Sequence, residues 1–319
     1  MKKFDIRSDD SGMRLDKFCA RILKNAPFSF IYKMLRKKNI TLNGKKAKGN
    51  ELLKTDDTIV FFLSDETFAG FGKPDTDLPL KEHDKSPDPD VVYEDPQVLI
   101  INKPAGILSQ KAQKNDLSVN EYCIRYLQKK REYDPLDPAS FQPAVCNRLD
   151  RNTSGLMLIA KTHICAQMLT RALKERTLHK YYVCIVKGMI SSPMVLAGYL
   201  KKDQKDNTVT IRTDKTEGAD AIETELVPLN TYKDLTLLKV KLVTGKPHQI
   251  RAHLNSIGHP ILGDPKYGDS ELNRRYQCNR QLLHAFRLEM PEFQAPLNEI
   301  SKRVFEIPYP VDFYKYMRI

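Results

Sequence analysis

The sequence predicts an α+β protein, in which a small helix-and-hairpin unit precedes a larger unit built on a mainly antiparallel mixed sheet. Two observations carry the prediction. Short apolar runs of strand type recur after residue 90 without regular interleaving by long helices, which speaks against a doubly wound parallel sheet. A stretch poor in large apolar residues, 73–90, carries Pro74, Pro79, Pro87 and Pro89 among acids and lysines and reads as a linker. The expected organisation is a small unit at 1–72, a linker at 73–90 and a larger unit at 91–319.

In the first unit, Leu15, Phe18, Cys19, Ile22 and Leu23 recur at helical spacing. After Pro27, Ser29 is expected to cap a second short helix bearing Ile31, Met34 and Leu35. Asn43-Gly44 between short extended runs signals a hairpin turn, and Thr58–Leu63 reads as a strand. In the larger unit, Val98–Ile101 reads as a buried strand, and Asp116 is expected to cap a helix with Val119, Tyr122, Cys123, Tyr126 and Leu127 on one face. Leu156–Ala160 reads as a strand, followed by a helix capped by Thr162 with Ile164, Met168, Leu169 and Ala172. Further strands are expected at Tyr181–Val186, Thr208–Arg212, Ile222–Val227 and Leu235–Val243. No repeat of fixed period is visible.

Composition narrows the function. An apolar content of 41% supports a packed core. The absence of an apolar run of about 18 residues speaks against a membrane span, and the basic start lacks the apolar stretch of a secretory signal. The six cysteines, Cys19, Cys123, Cys146, Cys165, Cys184 and Cys278, never fall two to four apart, so they read as reduced thiols of a cytoplasmic protein rather than a zinc site. His248 and His253 are five apart and share a helix face poorly, which speaks against a metal there. The net charge of +12 points to a polyanionic partner, since lysine and arginine contacts to phosphate give sequence-independent affinity for nucleic acid.

Lys33, Arg36, Lys37, Lys38, Lys45, Lys46 and Lys48 crowd one helix end and the hairpin after it, where they could track phosphates or form only a solvated face. Arg14-Leu15-Asp16-Lys17-Phe18, the second helix and the Asn43-Gly44-Lys45 hairpin resemble the small RNA-binding domain named after the fourth protein of the small ribosomal subunit. That resemblance spans about residues 12–63. It implies binding of structured RNA by shape and phosphate, with Arg14 among the contacts, and by itself implies no catalysis.

The most informative segment is Asn147-Arg148-Leu149-Asp150-Arg151-Asn152-Thr153-Ser154-Gly155-Leu156. A carboxylate lies between two arginines at the mouth of an apolar strand, and positive neighbours favour the ionised form of a carboxylate. Such a group can be a nucleophile, a general base, a metal ligand or a salt-bridge partner, and local sequence leaves these open.

This segment, with Met157-Leu158-Ile159-Ala160-Lys161 after it, resembles the catalytic motif of the RluA-type pseudouridine synthases. Ile101-Asn102-Lys103-Pro104-Ala105-Gly106 is similar to that family's opening motif, and Lys180–Gly188 to its tyrosine-bearing strand. Thr244–Leu254 is similar to its arginine motif, and Gly258–Gly268 and Leu283-His284-Ala285 are also family-like. The blocks follow family order across nearly all of 91–290.

The resemblance implies isomerisation of uridine in structured RNA, most of all large-subunit ribosomal RNA, by breaking and re-forming the base–ribose bond without metal or organic cofactor. It implies Asp150 as the essential carboxylate, Tyr182 as a ring stacked on the uracil that helps remove the proton at carbon five, and Arg251 as the partner of Asp150. Tyr181 is the adjacent alternative and points to the opposite face of the strand. Arg148 would contact phosphate and help extrude the nucleotide. His248, Gln249 and His253 would hold their segment by hydrogen bonds. Asn147 departs from the histidine of many relatives and cannot titrate. A monomer in the cytoplasm, without membrane contact, is expected. The competing readings are a synthase acting on transfer RNA, a catalytically silent ribosome-assembly protein, and a glycosidase, which would need a second carboxylate in a comparable motif.

Overall fold

Apolar periodicity builds the first unit. The computed structural model describes residues 1–7, 10–71, 88–113, 116–135, 137, 140–203 and 208–317. It opens with β1 (Lys2–Asp5), α1 (Leu15–Ile22), α2 (Phe28–Arg36), β2 (Ile40–Leu42), β3 (Lys45–Lys46), β4 (Thr58–Phe61) and α3 (Asp65–Phe71). Leu15, Phe18, Cys19 and Ile22 from α1 meet Ile31 and Leu35 from α2 over Ile40, Ile59 and Phe61 of a four-stranded sheet ordered β1-β4-β2-β3. Asn43 and Gly44 both take positive φ in the turn between β2 and β3, as the sequence requires. Ser29 is not the cap expected of it. The helix starts at Phe28 after Pro27, whose fixed φ of −65° suits a helix entry without a side-chain bond. The expected linker falls largely on 72–87, outside the described residues.

The larger unit runs β5 (Val91–Glu94), β6 (Val98–Lys103), α4 (Val119–Lys129), β7 (Ala144–Val145), β8 (Ser154–Ala160), α5 (His163–Glu175), β9 (His179–Lys187), β10 (Met194–Asp203), β11 (Thr208–Arg212), β12 (Asp220–Tyr232), β13 (Leu235–Leu242), α6 (Gln249–Ser256), α7 (Ser270–Arg275), β14 (Leu283–Glu289), β15 (Val304–Glu306) and α8 (Val311–Met317). The sheet is ordered β11-β10-β12-β13-β9-β14-β8-β6-β5, with β15 on β14 and β7 on β8. Among the described residues every ladder of this sheet is antiparallel except β14 with β8, where His284 pairs Ser154 and Ala285 pairs Gly155. Thr162 caps α5 by accepting from the Cys165 N–H, a contact worth about 1 kcal/mol in such helices. Asp116 does not cap α4. Ser118 holds that position, and the Asp116 carboxylate instead accepts the Ala112 and Gln113 N–H groups.

The sheet is covered on both faces, so its central strands read as unbroken apolar runs. All seven residues of β8 are buried. Leu156 and Leu158 join Val98, Ile100, Val183 and Ile185 on one side, while Met157 and Ile159 join Leu99, Ile101, Cys184 and Val186 on the other. The two-residue alternation of a strand thus decides which side chains share a face. Tyr182 falls with Leu149, Ile250 and Leu254 on the second side, and Tyr181 packs against the first.

Candidate active site

The loop between β7 and β8 carries Asp150, and backbone bonds fix its shape. The Thr153 N–H donates to the Asp150 carbonyl at 3.1 Å. The Arg151 carbonyl accepts from the Gly106 N–H at 2.8 Å and from Lys103 Nζ at 3.0 Å. Leu149 is held through both backbone groups by Ser109, whose Oγ accepts its N–H at 3.0 Å and donates to its carbonyl at 2.7 Å. Gln281 Nε2 donates to Thr153 Oγ1 at 2.9 Å. The loop then enters β8 at Gly155, where φ is +118° and a Cβ would strike the backbone of Ala285. Only glycine accepts both constraints, and this close approach is what permits the parallel pairing.

Asp150 faces a chain of charges. Its side chain keeps 26% of its surface exposed. Arg251 Nη1 donates to Asp150 Oδ2 at 2.7 Å, while Nε and Nη2 donate to the buried Asp264 at 2.7 and 2.8 Å. Burial opposes the Arg251 charge, but the two carboxylates outweigh it and raise the guanidinium well above its usual range. Burial likewise works against ionised Asp264, yet Arg251 and the Tyr267 and Lys266 N–H groups lower its pKa. Removing one member of such a buried set strands the others, at about 3–5 kcal/mol. Lys103 is fully buried, and desolvation brings its ammonium down to about 8 despite the nearby Asp150. It spends its protons on the Pro104 and Arg151 carbonyls.

Tyr182 is buried on the Asp150 side, and desolvation, reinforced by the Asp150 charge, pushes its phenol far up. Tyr181 is tied elsewhere, donating to Glu289 Oε2 at 2.9 Å. The structure therefore brings together Asp150, Tyr182 and Arg251, with Arg148 exposed two residues from the carboxylate. Gln249 does hold its segment, donating to Glu223 and Thr224 and accepting from Thr244. His253 bonds Thr224, and burial takes it down to about 4. Asn147 does not reach the site by any hydrogen bond among the described residues. It accepts the Leu158 N–H at 2.7 Å and donates to the Leu156 carbonyl at 3.3 Å, extending the β8 ladder.

Three residues of the site carry roles that their sequence positions do not announce. Asp264 lies inside a family-like block with no chemistry attached to it. Lys103 stands out in sequence only as a member of a motif. His248, expected to serve its own segment alone, has its Nε2 4.0 Å from Asp150 Oδ1.

The basic residues of the first unit are arranged differently. Lys33 and Arg36 on α2, Lys37 and Lys38 after it, and Lys45 and Lys46 on β3 are all exposed. None has an ion-pair partner among the described residues. Arg14 is the exception, with Nε and Nη2 donating to Asp16 at 3.1 and 2.7 Å.

The family model described as RNA pseudouridylate synthase matches residues 97–256, and that described as S4 domain matches residues 13–59. An uncharacterized RNA pseudouridine synthase of Mycoplasma pneumoniae is 32% identical over 312 residues, covering 95% of this chain and 94% of that protein. Ribosomal large subunit pseudouridine synthase C of Haemophilus influenzae is 30% identical over 322 residues, covering 96% and 94%. The structure of human RNA pseudouridylate synthase domain containing 4 has the same fold, with a TM-score of 0.58 at 20% identity over 72% of this chain and 92% of that one.

Proposed function

We propose, from the premise that this chain belongs to the RNA pseudouridylate synthase family and so isomerises uridine to pseudouridine in RNA, that Asp150 is the carboxylate on which the reaction depends and that the substrate is large-subunit ribosomal RNA. The observation that carries the reading is the Arg251 bond to Asp150 Oδ2, which leaves Oδ1 without a hydrogen-bond donor among the described residues. That oxygen acts on the ribose, by attack at its anomeric carbon or by removing a ribose proton. The bond from uracil nitrogen breaks, the base turns, and carbon five bonds to the same sugar carbon. The proton leaves carbon five, the freed nitrogen is protonated, and the carboxylate is regenerated. No atom is gained or lost.

Tyr182 walls the base. Its raised pKa keeps the phenol neutral, which suits stacking on the uracil better than service as a phenolate. Arg148, exposed beside the loop, meets a phosphate of the extruded nucleotide. Residues 1–72 hold the RNA through the unpaired cations of α2 and β3, and 91–319 carry the chemistry. The names of relatives such as that of Haemophilus influenzae support the ribosomal target.

Pseudouridine mapping of total RNA tests both claims, in cells with the gene, without it, and with an Asp150→Ala copy. Sites in large-subunit ribosomal RNA are expected to vanish without the gene and to stay absent with the variant. Restoration by Asp150→Ala would end the catalytic claim, and sites confined to transfer RNA would end the ribosomal one.

A further inference from the structure

His248 is built into the site by contacts that the proposed reaction leaves unused. It sits at the start of α6 in the left-handed region, with φ 55°. Its Nδ1 lies 3.0 Å from the Tyr267 hydroxyl, and that hydroxyl oxygen accepts the Val209 N–H at 2.8 Å. A phenol has one proton to give. The backbone N–H occupies one acceptor direction of the oxygen, which favours the phenol giving its proton to Nδ1, and in that arrangement the neutral imidazole carries its own proton on Nε2. Tyr267 is buried and also lies under the Arg251 guanidinium, 5.1 Å from ring centre to Cζ. One phenol thus braces both groups that flank Asp150. Nε2 lies 4.0 Å from Oδ1, the oxygen that Arg251 leaves open. That distance is about 1 Å beyond a hydrogen bond.

We propose that His248 is a positioning residue for the isomerisation. Tyr267 holds it as the Nε2–H tautomer, and it donates to Asp150 Oδ1 once the target nucleotide fills the site. This rests on the reading of Asp150 as the reacting carboxylate. An oxygen of a carboxylate has two acceptor directions, so the donor fixes one and leaves the other for the ribose. A neutral donor does this without adding a second cation to the one already paired with Asp150. The charges that face His248 are Asp150 and Asp264, which favour its protonation, and Arg251 and Lys266, which oppose it. Burial opposes it most, so the imidazole is neutral near pH 7.

Single-turnover assays on total RNA from cells lacking the gene test the proposal with His248→Leu, His248→Gln and Tyr267→Phe. His248→Leu is expected to lower the rate constant about 10- to 100-fold with RNA affinity within about twofold, the cost of a misplaced reacting group. His248→Gln, which keeps a neutral donor, is expected to recover most of that loss. In the wild type the rate should fall only on the acid side of the ordinary histidine range, where His248 protonates and pairs with Asp150, and His248→Gln should lose that acid limb. Equal losses in the leucine and glutamine variants, or none in either, would overturn the proposal. Nitrogen-15 spectra of histidine-labelled wild type decide it even where a variant does not fold. The Nε2–H tautomer is expected, with its loss in Tyr267→Phe, and an Nδ1–H tautomer in the wild type refutes it. An Asp150→Asn control separates the two readings. If that variant is inactive and His248→Leu is unimpaired, only this inference fails, whereas an active Asp150→Asn removes the reading beneath it.

Discussion

The cations around Asp150 and those of the first unit do opposite things with the same charge. Arg251 is buried and fully committed, with three bonds to two carboxylates, and Lys103 is sealed against backbone carbonyls. Lys37, Lys38, Lys45 and Lys46 are exposed and unpaired among the described residues. A committed charge fixes the geometry of its carboxylate partner, in the proposed reading the reacting group, and its loss is felt as an uncompensated partner. A free surface charge adds affinity for any phosphate within reach and is screened by salt. If the first group serves catalysis and the second holds RNA, as proposed, the two are separable by the kind of damage a substitution does.

The largest effect is expected at the committed end. Arg251→Met should cost about 3–5 kcal/mol of stability in urea unfolding, because Asp264 is left buried without its cation. It should also lower the single-turnover rate about 10²- to 10³-fold through the freed Asp150. A variant with wild-type stability would show that the Asp150–Arg251–Asp264 set does not brace the fold. At the free end, glutamine at Lys37, Lys38, Lys45 and Lys46 should weaken RNA binding in steps. Each lysine that neutralises a phosphate should, when replaced, flatten the slope of log affinity against log salt by about 0.7–0.9. Turnover at saturating RNA should stay within about twofold, and a fall in turnover without loss of affinity would erase the contrast. The smallest effect is expected at Asn147→His. Because Asn147 serves the β8 ladder, histidine should cost about 1 kcal/mol in thermal unfolding and leave the rate within about threefold. A gain of tenfold or more would mean that the position takes part in the chemistry.

The sequence is most legible where local chemistry decides the structure. Asn43-Gly44, the apolar runs of β6 and β8 and the Thr162 cap need no distant partner to be read. Strand β10 escapes such reading because its burial alternates between half-buried Met194 and Leu196 and exposed Val195 and Ala197, all apolar, so the alternation does not show in residue type. Strand β14 shows in sequence only through Leu283-His284-Ala285. Its partners are distant, antiparallel β9 along most of its length and β8 at the parallel approach of Gly155, which lies 130 residues before Ala285 in sequence. The caps expected at Ser29 and Asp116 misplace the helix starts because Pro27 and Ser118 compete for the same role at a neighbouring position.

The site is legible as motifs but not as a circuit. Asp150, Tyr182 and Arg251 stand out by family resemblance, and strand alternation explains why Tyr182 rather than Tyr181 lies on the side of the sheet that carries Leu149, next to Asp150 in sequence. The roles of Asp264, Tyr267 and His248 depend on the loop after α6 folding back onto that helix, a contact no spacing rule expresses.

The most direct test of the central claim is a single-turnover assay of Asp150→Asn on RNA from cells lacking the gene, with binding measured on the same preparation. Asparagine keeps the shape and an oxygen for Arg251 but loses the charge. No pseudouridine should form while RNA affinity stays within about threefold of wild type. Pseudouridine formed at a rate within tenfold of wild type would contradict the account.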